Sequence, residues 1–220
     1  MYEALYQAVQ STGADLALCD YAEVDEAGAP CQSMHIRLEK KNFTGRELLK
    51  NATDSMIQPA WNKLYRRVVF AQLRYPEGKL NEDLFLIPEV CLQIQKAVVV
   101  PKALYYYVQR GGSIMSGNKT LRHFDAAEAA RRYWDCLVEN AAYDALANAA
   151  KFMMGSVSRV YRQLPPALRK EARSREMLRM QFEVVNRTRR YCAVPGRLWL
   201  QSWLLRHFPQ TYSRLRERKG

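Results

Sequence analysis

The sequence predicts an α/β protein whose second half is helical and basic. Two observations on the order of the predicted elements support this prediction. A helical stretch followed at once by a short apolar run opens the chain, which is typical of one unit of a layered α/β fold. From Phe124 onward, alanine-rich and then arginine-rich segments with helical periodicity take over. We therefore place a boundary near residue 120 and predict domains 1–120 and 121–220.

Charge is distributed unevenly along the chain. Residues 1–150 carry 17 Lys and Arg against 18 Asp and Glu, whereas residues 151–220 carry 17 against 4. A basic segment of this kind attracts polyanions, either nucleic acid or an anionic lipid surface. Composition alone does not choose between these two partners.

Composition excludes several classes of protein. Hydrophobic residues make up 48% and charged residues 25%, as in a folded globular protein. Five scattered cysteines favour reduced thiols over a disulfide framework, and three scattered histidines show no metal-binding spacing. No apolar run approaches the roughly 18 residues that cross a bilayer, and the N-terminus lacks signal-peptide features. We expect a cytoplasmic protein, or one at the inner face of the plasma membrane.

The first elements follow from local signals. Residues 1–12 have helical spacing that ends at Gly13, and residues 14–21 form an apolar run typical of a buried strand. Residues 23–41 are polar and turn-rich and predict a hairpin or a loop. Thr44 begins a capping box that opens a helix.

The middle of the chain is predicted to be mixed. Residues 59–70 have the spacing of a second helix, with Trp61 and Val68 on one side. A turn at 74–79 precedes a helix that starts at 81–83, in which Pro88 indicates a kink or a later start. The β-rich runs 97–100 and 103–109 are separated by Pro101. Three further helical stretches follow, at 124–150, 167–190 and 198–208.

Four segments resemble one known family, in the family's order. These are MYEALYQAVQSTGADLALCDY at 1–21, WNKLYRR at 61–67, EGKLNEDLFLIPEV at 77–90 and VVVPKALYYYVQRGGSIMS at 98–116. They resemble the inverting, family 2-like glycosyltransferases of GT-A fold that build bacterial surface polysaccharides. The resemblance implies a partial GT-A, Rossmann-like sheet with flanking helices, followed by the helical basic extension.

The resemblance also implies ligands. The donor would be a nucleotide-diphosphate sugar, and the acceptor a saccharide or a lipid-linked molecule. Members of the family use a divalent cation, Mn or Mg, held by an Asp-x-Asp motif that this chain lacks. We therefore expect a truncated protein with little or no turnover alone. A non-catalytic scaffold or partner subunit is the alternative.

The resemblance assigns the chemistry to the start of the helix after residue 80. Asp83 would be the base that removes the acceptor proton, with Glu82 as its neighbour, because inverting transfer needs a carboxylate within reach of the acceptor hydroxyl. The alternative is that both acids only cap the helix and complement its dipole.

Two other groups match the family's binding segments. The indole of Trp61 would stack on an acceptor sugar while Asn62 and Lys63 bind its hydroxyls; the alternative is a core tryptophan. Arg110, with Ser113, would contact the diphosphate, and the alternative is a solvated arginine in a turn. Residues 105–107, three tyrosines, are expected to alternate between core and surface rather than to bind acceptor.

The segment RLWLQSWLLRHF at 197–208 has the composition of an interfacial helix. Trp199, Trp203 and Arg206 would contact an anionic membrane through the region 151–220. The alternative is an ordinary helix docked on the domain. Nucleic acid is a less favoured partner, because no nucleic-acid-binding motif is present and aromatic residues do not alternate with the basic ones.

Overall fold

The computed structural model describes residues 1–31, 41–110 and 119–217. Residues 32–40 of the segment predicted as a hairpin or loop, and the predicted diphosphate ligand Ser113, therefore lie outside the described residues. The chain forms two compact units. One comprises Met1–Tyr75 and Leu86–Gly117, and the other comprises Pro76–Phe85 and Asn118–Gly220.

The first unit is built on a four-stranded sheet. Its helices and strands, in chain order, are α1 Tyr2–Thr12, β1 Leu16–Val24, β2 Asn42–Phe43, α2 Gly45–Lys50, β3 Lys63–Tyr65, α3 Glu82–Gln93 and β4 Ala97–Val108. The strand order is β2-β4-β1-β3; β1 and β4 are parallel, and the two outer strands are antiparallel to their neighbours. The α/β class is confirmed.

Helix α1 covers one face of this sheet. Its buried residues Leu5 and Val9 pack with Ala17, Cys19 and Val98 of the two central strands. The helix ends at Gly13, which has a φ of 69°, a left-handed conformation that glycine adopts without steric cost. The predicted helix, its end and the strand behind it are confirmed, and β1 continues three residues beyond the predicted run.

The predicted capping box is present at the start of α2. The Thr44 hydroxyl accepts a hydrogen bond from the backbone N–H of Glu47, and the Glu47 carboxylate accepts one from the backbone N–H of Thr44 at 2.8 Å. Gly45 follows the cap and is buried against the carbonyl oxygens of Cys91 and Ile94, so closely that no side chain fits there.

The helix predicted over residues 59–70 is wrong. The segment instead holds strand β3, which pairs antiparallel with β1, and a 3-10 helix at Arg67–Phe70. Val68, predicted on the same side of the helix as Trp61, is 72% exposed. The hydrogen bonds that β3 makes along the free edge of β1 outweigh the helical spacing of the apolar side chains.

The two β-rich runs around Pro101 form one strand rather than two. In the pairing of β1 with β4, Cys19 lies opposite Val100 and Asp20 lies opposite Ala103, so two residues of β4 bulge out. Because proline has no N–H to donate, a bulge is where a strand tolerates it. The register shift lets β4 continue to its tyrosines at 105–107.

The described helices of the second unit pack on one another in sequence order. They are α4 Asp125–Glu139, α5 Leu146–Gln163, α6 Ala172–Thr188, α7 Gly196–His207 and α8 Pro209–Glu217. At the core of this unit the buried Trp134 Nε1 donates to the hydroxyl of Thr188 at 2.9 Å. Across residues 1–31, 41–110 and 119–217, no helix is both long and apolar enough to cross a membrane.

Helix α3 begins at Glu82 and runs through Pro88 without interruption, so the expectation of a later start is wrong. Its residues up to Phe85 belong to the second unit, and its residues from Leu86 onward belong to the first. The acidic residues predicted at its beginning occupy its first turn.

Candidate functional site

Four aromatic side chains meet in the first unit and form what we call the aromatic cluster: Tyr21, Trp61, Tyr105 and Tyr107. The indole of Trp61 stacks on the ring of Tyr105, with ring centroids 4.3 Å apart, and on that of Tyr107 at 5.4 Å. The ring of Tyr21 meets the indole edge-on at 4.9 Å. Trp61 is half-buried.

Strand register assembles this cluster. Tyr105 and Tyr107 are two residues apart on β4, so their side chains lie on the same side of the strand. Tyr21 lies opposite Tyr105 on the neighbouring strand β1. Tyr106 points the other way and is 70% exposed, which agrees with the predicted alternation of core and surface.

Asn62 and Lys63 hold the chain next to Trp61. The Asn62 side-chain amide donates to the carbonyls of Cys19 at 2.8 Å and Met56 at 3.0 Å, and the backbone carbonyl of Asn62 accepts from the N–H of Cys19. The Lys63 ammonium donates to the carbonyls of Met56 and Pro59 and to the Asn62 side-chain oxygen. Both side chains are buried, so these contacts fix the position of the indole.

Two of the titratable side chains buried on β1 are Tyr21, within the cluster, and Cys19, two residues before it. Burial raises the pKa of Tyr21 above its ordinary value, against the smaller opposite effect of a hydrogen bond with Ser55. Burial likewise raises the pKa of Cys19. Both groups therefore stay protonated near neutral pH, and Cys19 has neither the exposure nor the thiolate character of a nucleophile.

The predicted acidic pair lies in the second unit, at the first turn of α3. Asn81, the residue before it, has a φ of 59°, a left-handed conformation that costs free energy for residues other than glycine, although less for asparagine than for most. Glu82 is exposed and Asp83 is partly exposed. Asp83 Oδ1 accepts a hydrogen bond from the N–H of Leu84 at 2.7 Å.

The loop before this pair is fixed by four charged side chains that we call the Lys79 tether: Lys79, Asp125, Glu128 and Arg173. The Lys79 ammonium lies 2.7 Å from Glu128 Oε2 and 3.3 Å from Asp125 Oδ1. The second oxygen of Asp125 accepts from the backbone N–H of Leu80 at 3.1 Å. Arg173 donates to the other oxygen of Glu128. The loop is thus bound to α4 and, through Glu128, to α6.

Three side chains of the tether, Lys79, Glu128 and Arg173, have shifted pKa values. The hydrogen bond from Lys79 to Glu128 is the largest contribution that raises the pKa of Lys79. Burial by itself would raise the pKa of Glu128, but the hydrogen bonds and charges of Lys79 and Arg173 outweigh it, so its pKa is lowered. Likewise, burial alone would lower the pKa of Arg173, but Glu128 raises it. All three groups are therefore charged at neutral pH.

The remaining predicted binding residues are on other parts of the chain. Arg110 is exposed just beyond the end of β4. Trp199 Nε1 donates to Asn186 Oδ1 at 2.8 Å, which docks α7 on α6. Trp203 packs on Phe208, with ring centroids 5.6 Å apart, and Arg206 is half-buried. The membrane role of Trp199, Trp203 and Arg206 stays a prediction.

We tested whether the residues present fit the divalent cation that the family resemblance implies. Within the described part of the chain, no group of three or more His, Cys, Asp or Glu side chains is arranged to hold a metal ion. The described residues therefore do not fit that cation, and we route no step of the chemistry through one.

Two curated proteins are similar to this chain. A glycosyltransferase named GlyA from Streptococcus pneumoniae serotype 4 is 31% identical over 121 residues, which cover 51% of this chain and 17% of that protein. A glycosyltransferase named GlyG from the same organism is 27% identical over 127 residues, covering 52% of this chain and 41% of that protein. Both similarities support a glycosyltransferase. The chain spans less than half the length of either relative, and no family model matches it.

Sequence reasoning missed both the aromatic cluster of the first unit and the Lys79 tether of the second. The i, i+2 spacing of Tyr105 and Tyr107 predicted a shared side of the strand, but nothing in the sequence indicated that Trp61 would lie against them. The Lys79 tether joins residues separated by 45 to 49 positions. No local pattern marks such a pairing.

Proposed function

We propose that this chain takes part in glycosyl transfer of the GT-A, family 2-like type. A sugar would pass from a nucleotide-diphosphate donor to a saccharide or lipid-linked acceptor with inversion at the anomeric carbon. The proposal is supported by the two glycosyltransferase relatives and by the four sequence segments that resemble the family. The observation that carries it in the structure is the strained, tethered loop in front of Glu82 and Asp83, since strain of this kind is concentrated at functional sites.

Asp83 would act as the general base. Its carboxylate takes the proton from the acceptor hydroxyl while that oxygen forms a bond to the anomeric carbon. The bond from the anomeric carbon to the diphosphate breaks, and its electron pair leaves with the diphosphate. This carboxylate lies in the first turn of α3, beside the positive end of the helix dipole. Glu82, the exposed neighbour, is proposed as a supporting carboxylate.

Trp61 is proposed as the acceptor-binding surface, and the tyrosines of the aromatic cluster are proposed as its support. The half-buried indole of Trp61, held against Tyr105 and Tyr107, offers a rigid apolar surface that suits the apolar face of a sugar ring. We propose that Asn62 and Lys63 support this surface, because their polar atoms already bind backbone carbonyls. Arg110 is retained as a proposed diphosphate contact, since an exposed guanidinium can bind phosphate through two hydrogen bonds.

The test compares Asp83→Asn with Glu77→Gln in the protein expressed from its complete reading frame. Glu77 is an exposed carboxylate in the same loop and serves as the control. With a panel of nucleotide sugars and saccharide acceptors, Asp83→Asn should lower kcat by at least about 100-fold with an unchanged melting temperature. Glu77→Gln should leave kcat unchanged.

Two results would contradict different parts of this proposal. Near-normal turnover of Asp83→Asn would remove Asp83 as the base but leave sugar transfer standing. Failure of the unmodified protein to release nucleoside diphosphate from any donor would contradict glycosyl transfer itself. Trp61→Phe should raise the KM for the acceptor; a lowered melting temperature with an unchanged KM would instead assign Trp61 to the core.

A further inference from the structure

Three cations from three helices of the second unit line one cavity of about 530 Å³, which we call the basic cavity. Lys151 is on α5, Arg197 is on α7 and Arg216 is on α8. The side-chain amides of Asn148 and Gln201 line the same cavity and add hydrogen-bond donors. None of the described residues that line this cavity carries a carboxylate.

No acidic side chain in the described part of the chain neutralises the positive charge of this cavity. In the described ranges, neither Lys151 nor Arg197 has a carboxylate partner within ion-pair distance, and Arg216 donates only to the hydroxyl of Tyr212, at 3.2 Å. By contrast, Arg131 and Arg173 in the same unit each pair with a carboxylate. Cations that converge without counter-charges form a site for an anion.

A second cavity of about 190 Å³ adjoins the basic cavity and shares Arg197, Gln201 and Arg216 with it. Its other lining residues are Leu204, Leu215 and the buried Tyr212. We call it the apolar cavity. Leu215 is 49% exposed, so this apolar surface is accessible from solvent. A polar, positively charged cavity beside an apolar one matches a ligand with a negatively charged head and a hydrocarbon chain.

We propose that the two cavities bind an anionic lipid, with its phosphate in the basic cavity and part of its hydrocarbon in the apolar cavity. Nucleic acid fits less well, because the aromatic residue among the lining, Tyr212, is buried and offers no ring for base stacking. The site includes none of Trp199, Trp203 and Arg206, and it does not depend on sugar transfer. Its anion contact on α7 is Arg197, at the beginning of that helix.

The test uses the full chain and vesicles of phosphatidylcholine with or without phosphatidic acid, measured by cosedimentation. The cavity variant is Lys151→Gln with Arg197→Gln. The control is Arg159→Gln with Arg214→Gln, which removes the same charge from exposed positions of α5 and α8 that line neither cavity. Each basic residue near an anionic surface contributes a factor of about five, so the cavity variant should bind about 25-fold more weakly.

The control pair should bind phosphatidic acid vesicles within about threefold of the unmodified chain, because its cations are outside the site. Equal losses in the cavity variant and the control pair would overturn the proposal in favour of diffuse charge attraction. Leu215→Ser should weaken vesicle binding further while leaving any binding of inorganic pyrophosphate unchanged.

Competition experiments identify the source of the anion. Inorganic pyrophosphate should not displace the chain from the vesicles at concentrations equal to the accessible phosphatidic acid. Displacement at such concentrations would show that the ligand is a soluble diphosphate and would overturn the lipid proposal. A random oligonucleotide should not displace the chain either. If it does, and if the cavity variant also weakens oligonucleotide binding, the ligand is nucleic acid and the lipid proposal is overturned.

Discussion

The substitution Glu128→Gln tests the Lys79 tether directly. Glutamine has nearly the same shape as glutamate but carries no charge. Glu128 receives one hydrogen bond from Lys79 and another from Arg173, one on each carboxylate oxygen. The substitution therefore weakens two charge-assisted contacts at once without opening a cavity.

The magnitude follows from the burial of the three side chains. A hydrogen bond to a charged group contributes about 1.5 to 3 kcal/mol when buried, and an exposed ion pair about 0.2 to 1 kcal/mol. The Glu128 side chain is 26% exposed, that of Arg173 28% and that of Lys79 37%. After a discount for solvent screening, each contact is worth about 1 kcal/mol. We expect Glu128→Gln to lower the free energy of unfolding by about 2 kcal/mol, or the melting temperature by about 4 to 8 °C.

The assay is thermal unfolding followed by circular dichroism at a series of pH values. Because the pKa of Glu128 is lowered in the folded protein, its stabilisation is complete above its ordinary pKa of 4.5 and is lost as the pH falls through the lower, folded value. The melting temperatures of the unmodified chain and the variant should therefore differ at pH 7 and converge on acidification. Glu139→Gln, at an exposed position of the same helix, should change stability by less than about 0.5 kcal/mol.

A double-mutant cycle with Lys79→Met separates the contact itself from the cost of leaving one charge alone. The coupling between Lys79 and Glu128 should be about 1 kcal/mol. A difference in melting temperature that persists unchanged at low pH would refute the electrostatic account. So would a coupling energy of zero, since the two side chains would then stabilise the loop independently.

Three further predictions concern stability and are checked by urea denaturation. Gly45→Ala should destabilise the chain by about 3 kcal/mol or more, because its Cβ would overlap the carbonyl oxygens of Cys91 and Ile94; an unchanged midpoint would contradict this close approach. Gly155→Ala, in α5, should instead stabilise by about 0.5 to 1 kcal/mol, since its Cβ has open space; a destabilised variant would show that the position is packed. Asn62→Ala should cost about 1 to 3 kcal/mol because the buried carbonyl of Cys19 loses its amide donor, while Met56 and Lys63 each lose one of their contacts; a cost below about 0.5 kcal/mol would show that water replaces the amide.

The parts of the fold that depend only on residues adjacent in the sequence were predictable. The end of α1 at Gly13 and the capping box at Thr44 each follow from a few adjacent residues. Local chemistry decides these features, since a left-handed residue or a reciprocal cap stabilises a helix end wherever it lies. The acidic start of α3 was predictable for the same reason.

The error over residues 59–70 has a tertiary cause. The apolar spacing in this segment satisfies a helix and does not exclude a strand followed by a 3-10 turn. What decides between them is the free edge of β1, where Leu16 pairs with Tyr65 and the carbonyl of Asn62 accepts from the N–H of Cys19. These partners lie more than 40 positions away, so the segment alone contains no sign of them. The same dependence on distant partners hid the aromatic cluster.

The tether also changes how the acidic pair of α3 is interpreted. From the local sequence alone, Asn81, Glu82 and Asp83 are explained as the start of a helix with charges that favour its dipole. The structure adds two left-handed residues, Gly78 and Asn81, on either side of the tethered Lys79 and Leu80. A left-handed asparagine costs energy that a helix cap does not need, and such a conformation persists only where the surroundings over-determine it. Here the surroundings are α4 and α6, so the helical half of the chain determines the position of the acidic pair.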